Sequence, residues 1–257
     1  MNDFAIKAVL CDIGGVLYEG DHLIKGAVEA VAKIKSHYPI RFLTNTTQKT
    51  SKEVYLKLKE LGFLVKEEEI ITALDVTKHM LENEKSNAYF LLKDNVIDCF
   101  SELSGYPTRY VVVGDAQENF NYFKLNRAFR HLQEGKQLIA IAKNKYFRDN
   151  DGKLSLDAGC FVAGLEYACE CEAILIGKPN KTFYHAACRS MGIDASDVIM
   201  IGDDIYGDIL GAQNAGLKTI FVKTGKFTSE DLKKGISPTL ILDSIADFDA
   251  TVNSILS

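Results

Sequence analysis

Short apolar runs alternate along this chain with stretches of helical spacing. Lys7 to Cys11, Ile40 to Leu43, Ile70 to Ala73, Val198 to Ile201 and Thr219 to Val222 are strand-length and largely apolar, without polar alternation. That is the pattern of strands buried on both faces. Between them, Ile24 to Lys35 sets Val28, Val31 and Ile34 on one helical face. Val54, Leu58 and Leu61 form a second such face, after a capping-box pattern at Thr50 to Glu53 and before Gly62. Asp75 to Asn83, Thr182 to Met191 and Ile205 to Ala215, the last closed by Gly216, are also predicted as helices. Alternation of this kind predicts an α/β fold, a Rossmann-like three-layer core around a parallel sheet.

The texture changes at about Lys78. Strands are predicted at Ala88 to Leu92, Tyr110 to Val113 and Leu138 to Ala142, helices at Phe120 to Leu132 and Phe161 to Cys169, and a polar hairpin around Asp149-Asn150-Asp151-Gly152. This block reads as an inserted α/β domain over residues 78–173, with the core built from 1–77 and 174–257. Ala173 to Ile176 is taken as a core strand that delivers Lys178.

Composition narrows the classes. Lys+Arg 30 against Asp+Glu 35 gives a net charge of −5, and no basic stretch is interleaved with aromatics, so no nucleic-acid partner is expected. The apolar runs are strand-sized and Met1-Asn2-Asp3 does not resemble a secretory signal; the expectation is a cytoplasmic protein without membrane association. Six cysteines without framework or zinc spacing are expected as buried free thiols. Oligomeric state, including a homodimer, is left open.

Four polar segments follow apolar runs, so they should collect at one edge of the sheet, where open α/β folds bind ligands. Asp12-Ile13-Gly14-Gly15 offers a carboxylate on a tight glycine turn, able to ligate a metal or attack phosphorus; alone it could equally be an acidic turn. Thr44 and the amide of Asn45 can donate to phosphate oxygens, or simply cap a strand end. Lys178, between Gly177 and Pro179, can lower the repulsion between an anionic phosphoryl group and a carboxylate nucleophile. Gly202-Asp203-Asp204 with Asp208 crowds three carboxylates into six residues, an arrangement that suits Mg²⁺, with Asp203 as direct ligand and Asp204 and Asp208 in support. Together these groups suit a small phosphorylated substrate. The absence of G-x-G-x-x-G after the first strand argues against a dinucleotide-binding oxidoreductase.

The order and spacing of the four segments resemble the haloacid dehalogenase (HAD) superfamily of phosphatases, and the insertion resembles that family's large α/β (C2-type) cap. Cys11 to Tyr18, Phe42 to Thr47, Leu165 to Cys169, Ile201 to Ile205 and Lys223-Thr224-Gly225-Lys226 extend the resemblance over nearly the whole chain. The resemblance implies Asp12 as nucleophile and metal ligand, Thr44, Asn45 and Lys178 as phosphate ligands, Asp203 completing the Mg²⁺ site and position 14 contributing its backbone carbonyl. It also implies an aspartyl-phosphate intermediate.

Gly14 departs from the pattern, because most of these phosphatases carry a second Asp there as acid and base. Losing that group removes about 10²- to 10⁴-fold of proton-transfer catalysis. Two readings follow: a phosphohydrolase for good leaving groups, such as pyrophosphate, acyl or aryl phosphates and P–N compounds, or a catalytically impaired protein that binds a phosphorylated ligand. Asn144, Lys145, Tyr146 and Asp157 in the insertion are the candidates for substrate selection, though each alone also reads as a solvated loop residue.

Overall fold

Strand Ala8–Asp12 is buried along its whole length and lies in the middle of a six-stranded sheet. Val198–Gly202, equally buried, pairs parallel to it on one side and Ile40–Thr44 on the other. Lys218–Val222 and Leu240–Leu242 extend the sheet outward from Val198–Gly202, and Ile70–Thr72 lies at the opposite edge. The computed structural model describes residues 6–148 and 153–248. Helices Ala27–His37 and Ser51–Glu60 turn Val31, Ile34, Val54 and Leu58 inward onto a core that includes Val9, Cys11, Phe42, Ile199 and Ile201.

A second sheet of four strands runs in the order Ile174–Leu175, Gln137–Ala140, Thr108–Val113, Asn87–Leu91, all parallel. Its core joins Leu91, Val111, Val113, Leu138 and Ala140 to Ala128 and Leu132 of helix Tyr122–Gln133 and to Val162 and Leu165 of helix Ala158–Cys169. Tyr146–Arg148 and Leu154–Leu156 form an antiparallel pair. The expected turn at Asp149 to Gly152 falls outside the described residues.

Contacts divide the chain into a unit of residues 1–44, 51–71 and 178–257 and a unit of 45–50 and 72–177. The boundaries therefore differ from those expected. Position 78 falls inside helix Ala73–Asn83, which starts at a reciprocal cap between Thr72 and Asp75, so the whole helix goes with the second unit. Residues 174–177 differ for another reason. Ile174 and Leu175 pair with Ile139 and Ala140, which makes this run the edge strand of the four-stranded sheet, not a strand of the core.

Cysteine burial is also less uniform than expected. All six are free, but only Cys11 and Cys188 are buried; Cys99, Cys169 and Cys171 are half-buried and Cys160 is exposed. Among the described residues no helix is long and apolar enough to cross a membrane.

Candidate active site

Register delivers the acidic groups to one edge. Asp12 ends its strand opposite Leu43, with Thr44 one residue further along, while Cys11 pairs with Ile201 so that Asp203 follows just beyond Gly202. Asp12, Asp203 and Asp208 are 7%, 2% and 1% exposed, and a ligating oxygen from each lies within 4.8 Å of the others. Lys178 is the first residue of the core unit's last segment, and its bond to Pro179 is cis. Its Nζ donates to Asp12 Oδ1 at 2.5 Å and to Asp208 Oδ1 at 2.7 Å.

Buried charge on this scale is costly unless compensated. Burial, then repulsion from Asp12 and Asp208, pushes the Asp203 carboxyl up to about 8. Asp208 is pushed up to about 6, mainly by burial, with Lys178 opposing the rise. Burial alone would lower the Lys178 ammonium, but Asp12 and Asp208 outweigh it and hold it well above its ordinary range. Counting Asp204 and Lys226, four carboxylates face two ammonium groups, so full ionisation leaves two uncompensated negative charges. One divalent cation would neutralise them, and a compact set of hard carboxylate oxygens is the donor set such a cation takes.

Both oxygens of Asp208 are already engaged: Oδ2 accepts the amides of Asp203 and Asp204 at 3.2 and 3.1 Å, while Oδ1 takes Lys178. Asp208 thus orients the loop and the lysine. Its carboxylate folds beneath position 202, where a Cβ would lie 2.1 Å from Asp208 Cβ; hence the glycine. The helix expected after this loop starts instead as a π-helical turn over Ile205–Leu210, with the amide of Ile209 bonded back to Asp204 O. Asp204 caps it through the amides of Tyr206 and Gly207. The buried Tyr184 hydroxyl donates to Gly207 O and holds the turn from the neighbouring helix, a contact that no sequence spacing announces.

The loop at Thr224 to Lys226 closes the site. The Lys226 amide donates to Asp203 Oδ2 at 2.7 Å, and its ammonium lies 2.9 Å from Asp204 Oδ2. Thr224 Oγ1 donates to Gly15 O at 2.5 Å. Gly15 and Gly225 both have positive φ, and a Cβ on either would lie about 2 Å from Asp203 Oδ2. Gly14, by contrast, is exposed and outside the left-handed region, with nothing within 4 Å of a built Cβ. The sequence marks Gly14 as the departure, but the sterically demanding glycine is Gly15, and Lys226 entered only as part of a resemblance.

In the second unit, Asn45 Oδ1 lies 2.5 Å from where a Cβ on Gly177 would stand, so this glycine lets the chain pass Asn45 just before Lys178. Backbone bonds from Gly159 N to Asn144 O and from Asp157 N to Lys145 O bring the two candidate substrate segments together. Asn144, Lys145 and Tyr146 are exposed there. Asp157 is buried, and its carboxylate caps helix Ala158–Cys169 through Ala158 N at 2.6 Å.

Sequence comparison decides the family. A model described as haloacid dehalogenase-like hydrolase matches residues 9–105, and a HAD-hydrolase-like model matches 175–248. Haloacid dehalogenase-like hydrolase domain-containing protein 2 of Bos taurus is 40% identical over 98% of this chain and 96% of its own length. The chain belongs to the haloacid dehalogenase-like hydrolases. Phospholysine phosphohistidine inorganic pyrophosphate phosphatase of Homo sapiens is 38% identical over 88% of the chain and 86% of that protein. Among solved structures, p-nitrophenyl phosphatase from Archaeoglobus fulgidus superposes with a TM-score of 0.88 at 25% identity, covering 95% and 98% of the two chains. NagD from E. coli K-12 gives 0.86 at 26% identity over 95% and 99%. The expected α/β HAD fold and phosphatase class hold: this chain is a HAD-type phosphatase.

Proposed function

We propose that this phosphatase is Mg²⁺-dependent, works through an aspartyl-phosphate on Asp12, and favours small phosphorylated substrates with good leaving groups. The observation that carries this reading is the buried Lys178 ammonium shared by Asp12 and Asp208 inside a compact cluster of buried carboxylates. Asp12, Asp203 and the carbonyl of Gly14 would hold Mg²⁺, which supplies positive charge to the phosphoryl oxygens. A carboxylate oxygen of Asp12 attacks phosphorus and forms an acyl phosphate. The bond from phosphorus to the leaving oxygen breaks, and its electron pair departs with that oxygen. Lys178 offsets the repulsion between nucleophile and phosphoryl group, with Thr44 and Asn45 donating to the phosphate. Water then attacks phosphorus, the bond from phosphorus to the Asp12 oxygen breaks and its electron pair restores the carboxylate, and the water's protons leave with the phosphate and solvent.

Gly14 supports the leaving-group restriction, because no side chain there can protonate an alkoxide. It equally favours a second reading, in which the site binds a phosphorylated ligand without efficient turnover. One experiment covers both. Assay pyrophosphate, acetyl phosphate, 4-nitrophenyl phosphate and phosphoramidate with Mg²⁺ and with EDTA, for wild type and Asp12→Asn. Expected are Mg²⁺-dependent hydrolysis, a loss of about 10³-fold or more in the variant, and a thermal shift with beryllofluoride in wild type only. Full activity in Asp12→Asn or in EDTA would overturn the mechanism. Ligand-induced stabilisation without hydrolysis would establish the second reading.

A further inference from the structure

The missing acid at position 14 leaves a chemical problem that the mechanism does not solve, since negative charge develops on the leaving oxygen with nothing assigned to receive it. Position 14 itself is exposed and open. Its neighbour Gly15 lies against Gly225: a Cβ built on Gly15 would be 2.9 Å from Gly225 Cα, and Thr224 Oγ1 is bonded to Gly15 O. The residue after Gly225 is Lys226. Its amide is fixed to Asp203 Oδ2, while its side chain is 66% exposed and paired with Asp204. An exposed ion pair of this kind is held weakly and released at little cost. Asp204 keeps two partners when the lysine leaves, because its other oxygen accepts two amides of the π-helical turn.

We propose that Lys226 is the electrostatic replacement for the absent acid: its ammonium leaves Asp204 and receives the developing negative charge of the leaving group. The substrate class that best uses such a cation has an anionic leaving group, above all a diphosphate whose second phosphoryl group departs as phosphate. The role rests on the phosphohydrolase reading above and names the leaving-group side of that site. No proton is transferred. The bond from phosphorus to the bridging oxygen breaks, the electron pair stays on that oxygen, and Lys226 keeps its proton while the new anion is neutralised by proximity.

A leaving-group series separates this role from a structural one. Measure kcat/KM with saturating Mg²⁺ for pyrophosphate and for aryl phosphates of graded leaving-group basicity, in wild type, Lys226→Met and Lys226→Arg. In Lys226→Met the loss should grow with leaving-group basicity and reach about tenfold or more for pyrophosphate, below the 10²- to 10³-fold of a fully enclosed oxyanion donor because this lysine is exposed. Lys226→Arg should recover most of it. A uniform loss across the series, or none, would overturn the proposal. Melting temperature and its rise with Mg²⁺ identify a folding or metal-site defect, which would also count against it. If wild type hydrolyses no member of the series, the phosphohydrolase reading fails instead, and that outcome is visible before any variant is compared.

Discussion

The acidic edge of the core unit and the polar segments of the second unit use the same residue types in opposite ways. Asp12, Lys178, Asp203 and Asp208 are buried and bonded to one another or to backbone amides. Lys145 and Tyr146 of the second unit face solvent, and Asp157 is engaged as a helix cap. Burying ionised groups is unfavourable, so a fold that does it must fix their geometry with hydrogen bonds and counter-charges. Exposed polar residues carry no such constraint. The proposed function accordingly assigns the reaction to the first region and adjustable substrate selection to the second.

The largest effect expected from perturbing the buried region is at Gly15. Alanine there adds a Cβ 2.1 Å from Asp203 Oδ2 and 2.9 Å from Gly225 Cα, at φ +80°. Left-handed strain of about 1–2 kcal/mol and overpacking of about 1–3 kcal/mol add to roughly 2–5 kcal/mol of lost stability, measured by urea unfolding. Activity should fall with the displaced Asp203. A stable, fully active Gly15→Ala would mean that the cluster is not rigid and would break the contrast between the regions.

Gly14→Asp should behave in the reverse manner, although it is the adjacent residue. With open space and an ordinary backbone, it should change stability by no more than about 0.5 kcal/mol. It should also raise kcat/KM for an alkyl phosphate by about tenfold or more while changing an activated aryl phosphate much less, since a proton donor helps poor leaving groups most. Equal or lower activity on both substrates in a well-folded protein would show that the acid's place is not at this position.

The smallest effect is expected in the second unit. Lys145→Ala should leave stability within about 0.5 kcal/mol and kcat unchanged, with KM for an anionic substrate rising severalfold at most. A collapse in kcat comparable to that of Asp12→Asn would place Lys145 in the chemistry and remove the distinction drawn between the regions.

Much of the core was readable in one dimension, because a strand buried on both faces must be a continuous apolar run and the polar residue after it must reach the sheet edge. Asp12 after Ala8 to Cys11 and Asp203 after Val198 to Gly202 follow that logic. Lys178 misled it. Ile174 and Leu175 are apolar and precede the lysine, yet they pair with Gln137–Ala140 in the other sheet. Hydrophobicity reports that a strand is covered, not which sheet covers it.

What the amino-acid sequence determined by itself was the alternation of elements, the parallel sheet and the set of acidic and basic residues available for phosphoryl transfer, since these follow from periodicity and residue chemistry along the chain. Only the tertiary structure decided that one lysine would bridge Asp12 and Asp208, 166 and 30 residues away, that Gly15 and not Gly14 is the sterically required glycine, and that Lys226 closes the acidic loop. The physical reason is that these properties arise from contacts between loops distant in sequence. Their steric and electrostatic consequences exist only once the sheet has brought the loops within bonding distance.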